Sequence, residues 1–372
     1  MIRHKSFRNV DELTRFLETK IPSDVYYSAA YYNQPEENME AKGWLGADLI
    51  FDIDADHIET PCKNEHDSWA CLNCGKSGRG LPPDNCPSCN QQKFEERTWL
   101  CESCLEAAKM ETLKLIDMLL SDFGFSNEEI FVCFSGNRGY HVHIESERVR
   151  CLDQLARKEI VDFVKGTGLD TTYHGLYEKP IEVQKMGKTT VGPDINDPGW
   201  RGRLSRGVYD FLANATLEQL EKTGLQRKTA KAIIEHRESL LKTWQTKAPW
   251  DAVRGFGIGA WKKIIDYAIK TQGADVDTVV TTDIHRLIRL PATLHGKTGL
   301  KAVQISVTDL EAFDPLIEAV AFTKGTLTIN VSEAPKFRIS DQFYGPYKQQ
   351  KVELPTSGAM LLMLKGCATL GE

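Results

Sequence analysis

The chain has 372 residues, of which 41% are hydrophobic and 26% are charged, and its formal net charge is −6 at pH 7. This length allows two or three domains with full cores, and the composition is typical of a globular protein. The longest apolar run near either end, Ala359–Leu364, is much shorter than the roughly 18 residues that a membrane span needs. Polar sequence follows Met1, so no signal peptide is predicted, and we expect a cytoplasmic protein with reduced thiols.

The first informative segment is an apolar strand that ends in two carboxylates. Residues 48–54 read Asp-Leu-Ile-Phe-Asp-Ile-Asp. Because side chains alternate along a strand, Asp52 and Asp54 point to one face, with their Cα atoms roughly 6.5 Å apart. Two acids this close repel each other unless cations lie between them, and the pair suits two divalent metals about 3.5–4 Å apart. A strand that runs into an acidic surface turn is the simpler interpretation of this motif alone.

A cysteine-rich insert over residues 61–104 follows. Three Cys-x-x-Cys pairs are separated by 11 residues each, and a cysteine and a histidine precede them. In a reducing compartment such pairs are typical of structural zinc sites, and eight ligands suffice for two of them.

The pairing of these ligands stays open at this point. In a nested arrangement, a ribbon cluster lies inside a base cluster. The ribbon cluster is Cys71, Cys74, Cys86 and Cys89, and the base cluster is Cys62, His66, Cys101 and Cys104. In a sequential arrangement, residues 62, 66, 71 and 74 bind one zinc and residues 86, 89, 101 and 104 bind the other.

A helix and two strands are predicted next. Apolar residues at helical spacing predict a helix over Leu105–Phe123, and two apolar stretches, Ile130–Phe134 and Tyr140–Ile144, predict strands joined by a tight loop. Glycines in this loop let backbone N–H groups approach an anion, and the guanidinium of Arg138 can fork onto phosphate oxygens. His141 shares one strand face with His143, although a surface or core position is the simpler interpretation of either histidine.

Residues 200–272 are predicted to form a basic helical subdomain. From Trp200 to Lys270 there are 14 Lys and Arg against 7 Asp and Glu, a local charge of +7, so the remainder of the chain carries −13. A basic segment on an acidic protein can face phosphates, and a set of solvated helix faces is the simpler alternative.

Strand–helix–strand structure is predicted again over residues 276–308. Asp283 can cap a short helix that ends at Pro291, whereas Asp277 has no such local use and could supply a third carboxylate to the metals. The same segment carries the positive charge that a triphosphate demands, on Arg289, His295 and Lys297.

Taken together, these segments resemble the small, catalytic subunit of archaeal and eukaryotic DNA primases, and the archaeal type in particular. The matching features, in chain order, are Phe51–Asp54, a cysteine knuckle, a helix over Cys101–Phe125, Ser135–His141, Arg286–Pro291 and His295–Gly299. The resemblance extends from about Arg3 to Val307 and is looser in the basic helical subdomain.

The resemblance implies a role for each site residue. The two strand aspartates of the family fall on Asp52 and Asp54, and its third, 18 residues before the family histidine, falls on Asp277 rather than Asp283. These three would bind two Mg²⁺ or Mn²⁺ ions. The implied contacts of the incoming triphosphate are Ser135, Arg138, His141, Arg289, His295 and Lys297.

The resemblance also implies an activity and its partners. The expected enzyme is a nucleotidyltransferase of the primosome, a DNA-directed RNA polymerase that makes short primers from NTPs or dNTPs for DNA replication. Its expected partners are a primase large subunit with an iron–sulfur cluster, a single-stranded DNA template and the primer, at the nucleoid of an archaeal cell. The alternatives are a stand-alone primase-polymerase or end-joining repair polymerase, and, from another class, a non-catalytic zinc-ribbon adaptor that binds nucleic acid.

The predicted fold is of the α/β (α+β) class. A primase-type catalytic core with a mostly antiparallel sheet comprises residues 1–60, 105–199 and 273–335. The zinc-binding insert occupies 61–104, the helical subdomain 200–272, and a C-terminal segment 336–372.

Overall fold

The structure is a computed structural model that describes residues 2–180, 188–244, 249–251 and 256–371. The chain divides into two compact units. The first unit comprises Met1–Leu113, Ser126–Lys158 and Asp275–Glu372, and the second comprises Lys114–Phe125 and Glu159–Ala274. Parts of the predicted core and helical subdomain, at residues 181–187, 245–248 and 252–255, lie outside the described residues. Within the described ranges, no helix is long and apolar enough to cross a membrane.

The elements up to residue 165 are α1 (Val10–Lys20), β1 (Tyr26–Ser28), β2 (Ala30–Tyr32), β3 (Trp44–Ala47), β4 (Leu49–Asp54), α2 (Lys63–His66), β5 (Ser68–Cys71), β6 (Ser77–Arg79), β7 (Phe94–Arg97), α3 (Glu102–Ser121), β8 (Ile130–Phe134), β9 (Gly139–Ile144), α4 (Glu147–Arg150) and α5 (Gln154–Lys165). The following elements are β10 (Tyr177–Pro180), β11 (Lys188–Val191), α6 (Gly199–Asn214), α7 (Leu217–Lys222), α8 (Arg227–Trp244), α9 (Ile258–Gln272), α10 (Thr278–Thr282), β12 (Leu287–Arg289), β13 (Val303–Ile305), α11 (Pro315–Glu318), β14 (Thr326–Ala334), β15 (Phe337–Ile339), β16 (Gln342–Tyr344), β17 (Tyr347–Pro355), α12 (Thr356–Leu364) and β18 (Ala368–Leu370).

A four-stranded sheet in the first unit carries the candidate site. Its strand order is β13-β8-β9-β4, so the predicted strands before and after the glycine loop are neighbours and β4 lies beside them. Strand β4 is anchored by Leu49, Phe51 and Ile53, which are fully buried. Every strand pair among the described residues is antiparallel, which confirms the predicted α/β class with a mostly antiparallel sheet.

The short helix α10 brings a third carboxylate to β4. The backbone N–H of Asp277 donates to the carbonyl oxygen of Asp52 at 2.9 Å. The side chain of Asp277 caps α10 by accepting from the N–H of Val279 at 2.7 Å. Asp277 therefore has a local use, contrary to our prediction. A buried apolar cluster fixes this arrangement, with the members Ala29, Ile50, Val280 and Ile288.

The predicted helix before Pro291 is also wrong. Residues Leu287–Arg289 form β12, which pairs with β1 in the register Tyr26↔Arg289. Asp283 follows α10 and accepts the N–H of His285 at 2.9 Å instead of capping a new helix. The sequence pattern could not show this strand because its partner lies 263 positions away.

Three short strands and the one-turn helix α2 build the cysteine insert. The strand order is β6-β5-β7, and Trp69 of β5 packs edge-on against Phe94 of β7, with 5.2 Å between ring centroids. Gly78 makes room for the indole, since a Cβ there would lie 2.5 Å from it. Ser68, the first residue of β5, pairs with Arg97, the last residue of β7, so the two ends of this three-stranded segment lie next to each other.

The C-terminal segment forms a long ribbon and an apolar helix. Strands β14 and β17 pair along their whole length, and β18 joins β14 on its other side. Helix α12 contains the predicted apolar stretch, with Leu361 and Leu362 fully buried. Its end lies against the turn at Gly299, where a Cβ would be 3.2 Å from Cδ1 of Leu364.

The second unit contains the basic helices α6 to α9, in agreement with the helical character predicted for residues 200–272. Aromatic packing builds its core: the rings of Trp250 and Trp261 are 4.8 Å apart, and those of Trp244 and Trp261 are 5.9 Å apart. A buried ion pair between Arg203 and Asp122, with 2.7 Å between Nε and Oδ2, lies in the same unit.

Candidate active site

Asp52, Asp54 and Asp277 lie together at one end of β4. Asp52 faces His141 across the β4–β9 pair, and Asp54 faces Gly139. Burial, together with the negative charge of Asp277, raises the pKa of Asp52 to about 6, although Arg286 and His57 act in the opposite direction. The carboxylate of Asp277 is therefore close enough to act on Asp52. A carboxylate has about four lone-pair sites, so Asp277 can cap α10 and still bind a cation.

Backbone N–H groups of the turn after β4 donate hydrogen bonds to the side chain of Asp54 and to the glycine loop. Oδ1 of Asp54 accepts the N–H of Asp56 at 2.9 Å, and the N–H of Ala55 donates to the carbonyl of Arg138 at 3.1 Å. These bonds leave Asp54 in a defined orientation beside Asp52. The three side chains offer hard oxygen atoms, the kind that Mg²⁺ and Mn²⁺ prefer, but among the described residues only the two cysteine clusters bring their ligand atoms within 4.8 Å of one another.

Two of the histidines predicted for the site have lowered pKa values. Burial, together with the positive charge of Arg289, lowers the pKa of His141 to about 4. Burial likewise lowers the pKa of His295 to about 4. These two rings can donate hydrogen bonds to phosphate oxygens, but they do not supply the positive charge that we expected of them. His143 has no place at the site, because its ring stacks on Phe131 inside the fold, with 4.3 Å between centroids.

The glycine loop lies against the turn that carries His295. Ser135 closes the loop through its N–H, which donates to the carbonyl of Gly139 at 2.9 Å. At Gly136, φ is +80° and a Cβ would lie 2.9 Å from Cβ of His295, so only glycine fits this close approach. The hydroxyl of Thr298 donates to the carbonyl of Gly136. The structure therefore brings Ser135, His295 and the neighbouring Lys297 into one region.

Arg289 is buried behind this region. Its Nη1 forms an ion pair of 2.9 Å with Asp24, and its Nη2 donates to the hydroxyl of Tyr26 at 3.0 Å. Asp24 also accepts the N–H of Gly296, so the acid joins the arginine to the His295 turn.

Arg138 is placed differently from the expectation. Its side chain is 0% exposed, and its guanidinium is paired with Asp56 and with Asp67. A phosphate contact would require the guanidinium to leave these carboxylates. Asp67 and Asp24 are functional candidates that the sequence analysis missed, and the partners of Asp67 at Trp99 and Arg138 are 32 and 71 positions away, too far for a local motif to indicate.

A cation that the sequence pattern did not indicate is Lys365, which follows α12. Its ammonium donates to the carbonyl of Thr98 at 3.2 Å. Burial lowers the pKa of Lys365 to about 8, and the positive charges of Arg138 and Lys297 contribute. The C-terminal segment therefore adds positive charge beside the His295 turn.

The base cluster comes together as a compact donor set. Its four ligand atoms all lie within 4.8 Å of one another. The sulfur atoms of Cys62 and Cys104 are 3.6 Å apart, and Nε2 of His66 is 3.6 Å from the sulfur of Cys104. A tetrahedral zinc ion with bonds of about 2.3 Å separates its ligand atoms by roughly 3.8 Å, so these residues fit zinc.

The ribbon cluster forms a second donor set of the same size. Its sulfur atoms are 3.5 Å apart between Cys71 and Cys89, and 3.6 Å apart between Cys74 and Cys86. Both Cys-x-x-Cys turns end in a residue with positive φ, Gly75 and Asn90. The grouping of the eight ligands is nested, and the sequential alternative would join atoms that the fold separates.

Comparison with known proteins agrees with this architecture. The model of the DNA primase small subunit family matches residues 84–307. The chain belongs to this family. It is 33% identical to the DNA primase small subunit PriS of Methanothrix thermoacetophila, over 100% of this chain and 89% of the relative. It is 30% identical to PriS of Nitrosopumilus maritimus, over 100% and 88%, and 35% identical to PriS of Pyrobaculum arsenaticum, over 95% and 80%. The alignments with the first two relatives therefore include Asp52 and Asp54, which precede the matched family segment.

Proposed function

We propose that this chain is the catalytic subunit of a DNA primase, which makes short primers on a single-stranded DNA template from nucleoside triphosphates. The observation that carries the proposal is that Asp277 is hydrogen-bonded to β4 at Asp52, two residues from Asp54, in a chain whose relatives are named DNA primase small subunits. Such an enzyme would act in the cytoplasm, at the nucleoid.

The three aspartates would hold two Mg²⁺ or Mn²⁺ ions. When bound, the cations would acidify the attacking 3′-hydroxyl and neutralise charge on the triphosphate. The residues of the chain supply the geometry: the backbone hydrogen bond from the N–H of Asp277 to the carbonyl of Asp52 fixes the third carboxylate relative to the first, and the Asp56 N–H orients Asp54. Mutual repulsion of the acids favours cation binding, because it raises the free energy of the cation-free site.

The triphosphate would lie against the region formed by the glycine loop and the His295 turn. Ser135, His141 and His295 would donate hydrogen bonds, while Lys297 and Arg289 would supply positive charge. Arg289 is already paired with Asp24, so its charge is partly neutralised before the nucleotide arrives. The base and ribbon clusters would each bind a structural Zn²⁺, since a four-ligand site with no open position has no catalytic role.

We propose a primase large subunit as the partner, because the relatives of this chain are named primase small subunits. The net charge of −6 fits a subunit that gains template affinity from a partner. The basic helices of the second unit would add contacts to the template or to the duplex with the primer.

The test is a synthesis assay with purified chain, single-stranded template, labelled NTPs or dNTPs and Mg²⁺ or Mn²⁺, with and without a supplied primer. Template-dependent products that begin without a primer support the proposal. Extension of supplied primers alone would favour a repair polymerase of the same superfamily. Template binding without any incorporation, in all metals and with the large subunit present, would favour a zinc-ribbon adaptor.

A further inference from the structure

Arg138 and Asp67 form a buried bridge between the base cluster and the turn after β4. The bridge starts at Arg138, whose side chain is 0% exposed. Nη1 of Arg138 donates to Oδ1 of Asp67 at 3.2 Å and to the carbonyl of Trp99 at 2.9 Å. Nη2 pairs with Asp56 on the other side. Nη1 and Nη2 of the guanidinium are therefore each paired with a carboxylate, while Nε has no hydrogen-bond partner among the described residues.

At one end of the bridge, Asp67 holds a ligand of the base cluster. Its Oδ1 lies 2.8 Å from Nδ1 of His66, whose Nε2 faces the cysteines. The same oxygen accepts the N–H of Trp99 at 2.8 Å, two residues before Cys101. Carboxylates in this position fix the ring orientation of metal-binding histidines and increase their basicity.

At the other end, Asp56 holds the turn that follows the two strand aspartates. Its N–H donates to Oδ1 of Asp54 at 2.9 Å. Its carbonyl accepts from the ammonium of Lys63 at 2.9 Å, and Lys63 is adjacent to the base-cluster ligand Cys62. The Asp56 turn is thus joined to the cysteine insert by a backbone contact as well as by Arg138.

We propose that Asp67 and Arg138 are positioning residues that couple the base cluster to the carboxylates of Asp52 and Asp54, so that each site stabilises the geometry of the other. This inference rests on the proposed function, since it assigns a cation to those carboxylates. It gives the base cluster a task beyond folding the insert: it fixes the orientation of Asp54 through polar contacts that centre on the buried side chain of Arg138 and end at the partly exposed Asp56.

The coupling has a physical basis in burial. A buried arginine that loses one of two carboxylates is left with uncompensated charge, so the remaining groups must shift to restore pairing or admit water. Because Arg138 contacts both Asp56 and Asp67, a change at either acid is transmitted to the other. Coupling between two binding sites is reciprocal, so a disturbance at the Asp54 end must reach the zinc end.

The experiment uses the full, zinc-loaded chain and two matched variants, Asp67→Asn and Asp56→Asn. Mn²⁺ affinity is measured by electron paramagnetic resonance, and zinc release by a chromogenic chelator. Changes to groups that orient metal ligands cost about 10- to 100-fold in affinity. Asp67 touches no proposed Mn²⁺ ligand, and we expect Asp67→Asn to weaken Mn²⁺ binding about tenfold. Asp56 touches no zinc ligand, and we expect Asp56→Asn to speed zinc release by a similar factor.

The control is Asp122→Asn, which breaks the buried ion pair with Arg203 in the second unit. It removes one carboxylate from a buried arginine, as the test variants do, and should leave Mn²⁺ affinity and zinc release unchanged. A double variant of Asp56 and Asp67 should be little worse than the stronger single variant, because both interrupt one pathway.

The outcomes separate the inference from the proposed function. If the unmodified chain binds no Mn²⁺, the metal site itself is wrong. If it binds Mn²⁺ and Asp67→Asn changes zinc release alone, with Asp56→Asn changing Mn²⁺ affinity alone, the coupling is refuted. If Asp67→Asn does not fold, Asp56→Asn and Arg138→Lys still test the coupling, because both leave every zinc ligand and the acid Asp67 in place. Unchanged zinc release in both variants would equally refute the coupling.

Discussion

Replacing Asp52 by asparagine should stabilise the protein in the absence of divalent cations while abolishing synthesis. The pKa of Asp52 is raised from 3.8 to about 6 by burial and by Asp277. Its side chain is 23% exposed, so solvent screens it only in part. Each unit of pKa shift corresponds to about 1.4 kcal/mol, so ionised Asp52 costs the folded state up to about 3 kcal/mol.

The sign follows from which state binds the proton more tightly. The folded state does, so the cost is absent below about pH 4, grows as the pH rises, and is complete above about pH 6. Asparagine has no charge to bury and avoids the cost. In divalent-free buffer at pH 7.5, the Asp52→Asn variant should therefore unfold about 5 °C above the unmodified chain, and the difference should shrink to about half at pH 5.

Thermal unfolding of zinc-loaded protein, followed by circular dichroism, measures this difference. Adding Mn²⁺ should raise the melting temperature of the unmodified chain and have little effect on that of the variant. At a free Mn²⁺ concentration of 100 times the dissociation constant, binding stabilises the folded state by about 2.7 kcal/mol. Asp283→Asn is the control, since asparagine can still accept the N–H of His285 and a surface change of this kind alters stability by about 0.5 kcal/mol or less. A variant less stable than the unmodified chain at pH 7.5, or equal stabilisation of both by Mn²⁺, would refute the reasoning.

Three further predictions follow from the other parts of the fold. His295→Ala and Lys297→Ala should raise the apparent KM for NTP or lower kcat in steady-state synthesis, and equal losses of template affinity measured without nucleotide would place them on the nucleic-acid path instead. Neutralising three of the exposed basic residues in the second unit should reduce the slope of log affinity against log salt concentration by about 2–3 in DNA-binding titrations. An unchanged slope would mean that these residues make no DNA contact. The candidates are Arg227, Lys228, Lys231, Lys262 and Lys263. Replacing Ser68–Arg97 by two glycines removes the ribbon cluster, and the gap can be bridged because Ser68 and Arg97 are paired across β5 and β7. Metal analysis should then find one zinc per folded chain. A folded chain without zinc would contradict the nested arrangement.

Local sequence patterns were sufficient to predict the elements whose structure is determined by their own residues. The alternation in β4 predicted both the strand and the common face of Asp52 and Asp54, and the spacing of the cysteine pairs predicted their turns. The choice between nested and sequential grouping could not be made locally, because equal spacings of 11 residues fit both. Only the folded insert brings residues 62 and 66 to residues 101 and 104.

Distant pairing explains the predictions that failed. The segment Leu287–Arg289 forms a strand because β1 is its partner, and nothing within its own sequence specifies that pairing. The loop containing Arg138 has the composition of a phosphate-binding loop, yet Asp56 and Asp67 occupy its guanidinium. Asp277 caps a helix, and this local use does not exclude its proposed role at a metal site, so a sequence pattern cannot separate the two uses.

The most direct test of the account compares Asp277→Asn with Asp283→Asn in template-dependent incorporation of labelled NTP by the chain together with its large subunit. Both changes remove one negative charge from the same short segment, but only Asp277 is bonded to the strand that carries Asp52 and raises its pKa. The account predicts that Asp277→Asn lowers synthesis by orders of magnitude with folding intact, and that Asp283→Asn retains nearly full activity. Loss of synthesis in Asp283→Asn with an active Asp277→Asn would contradict it.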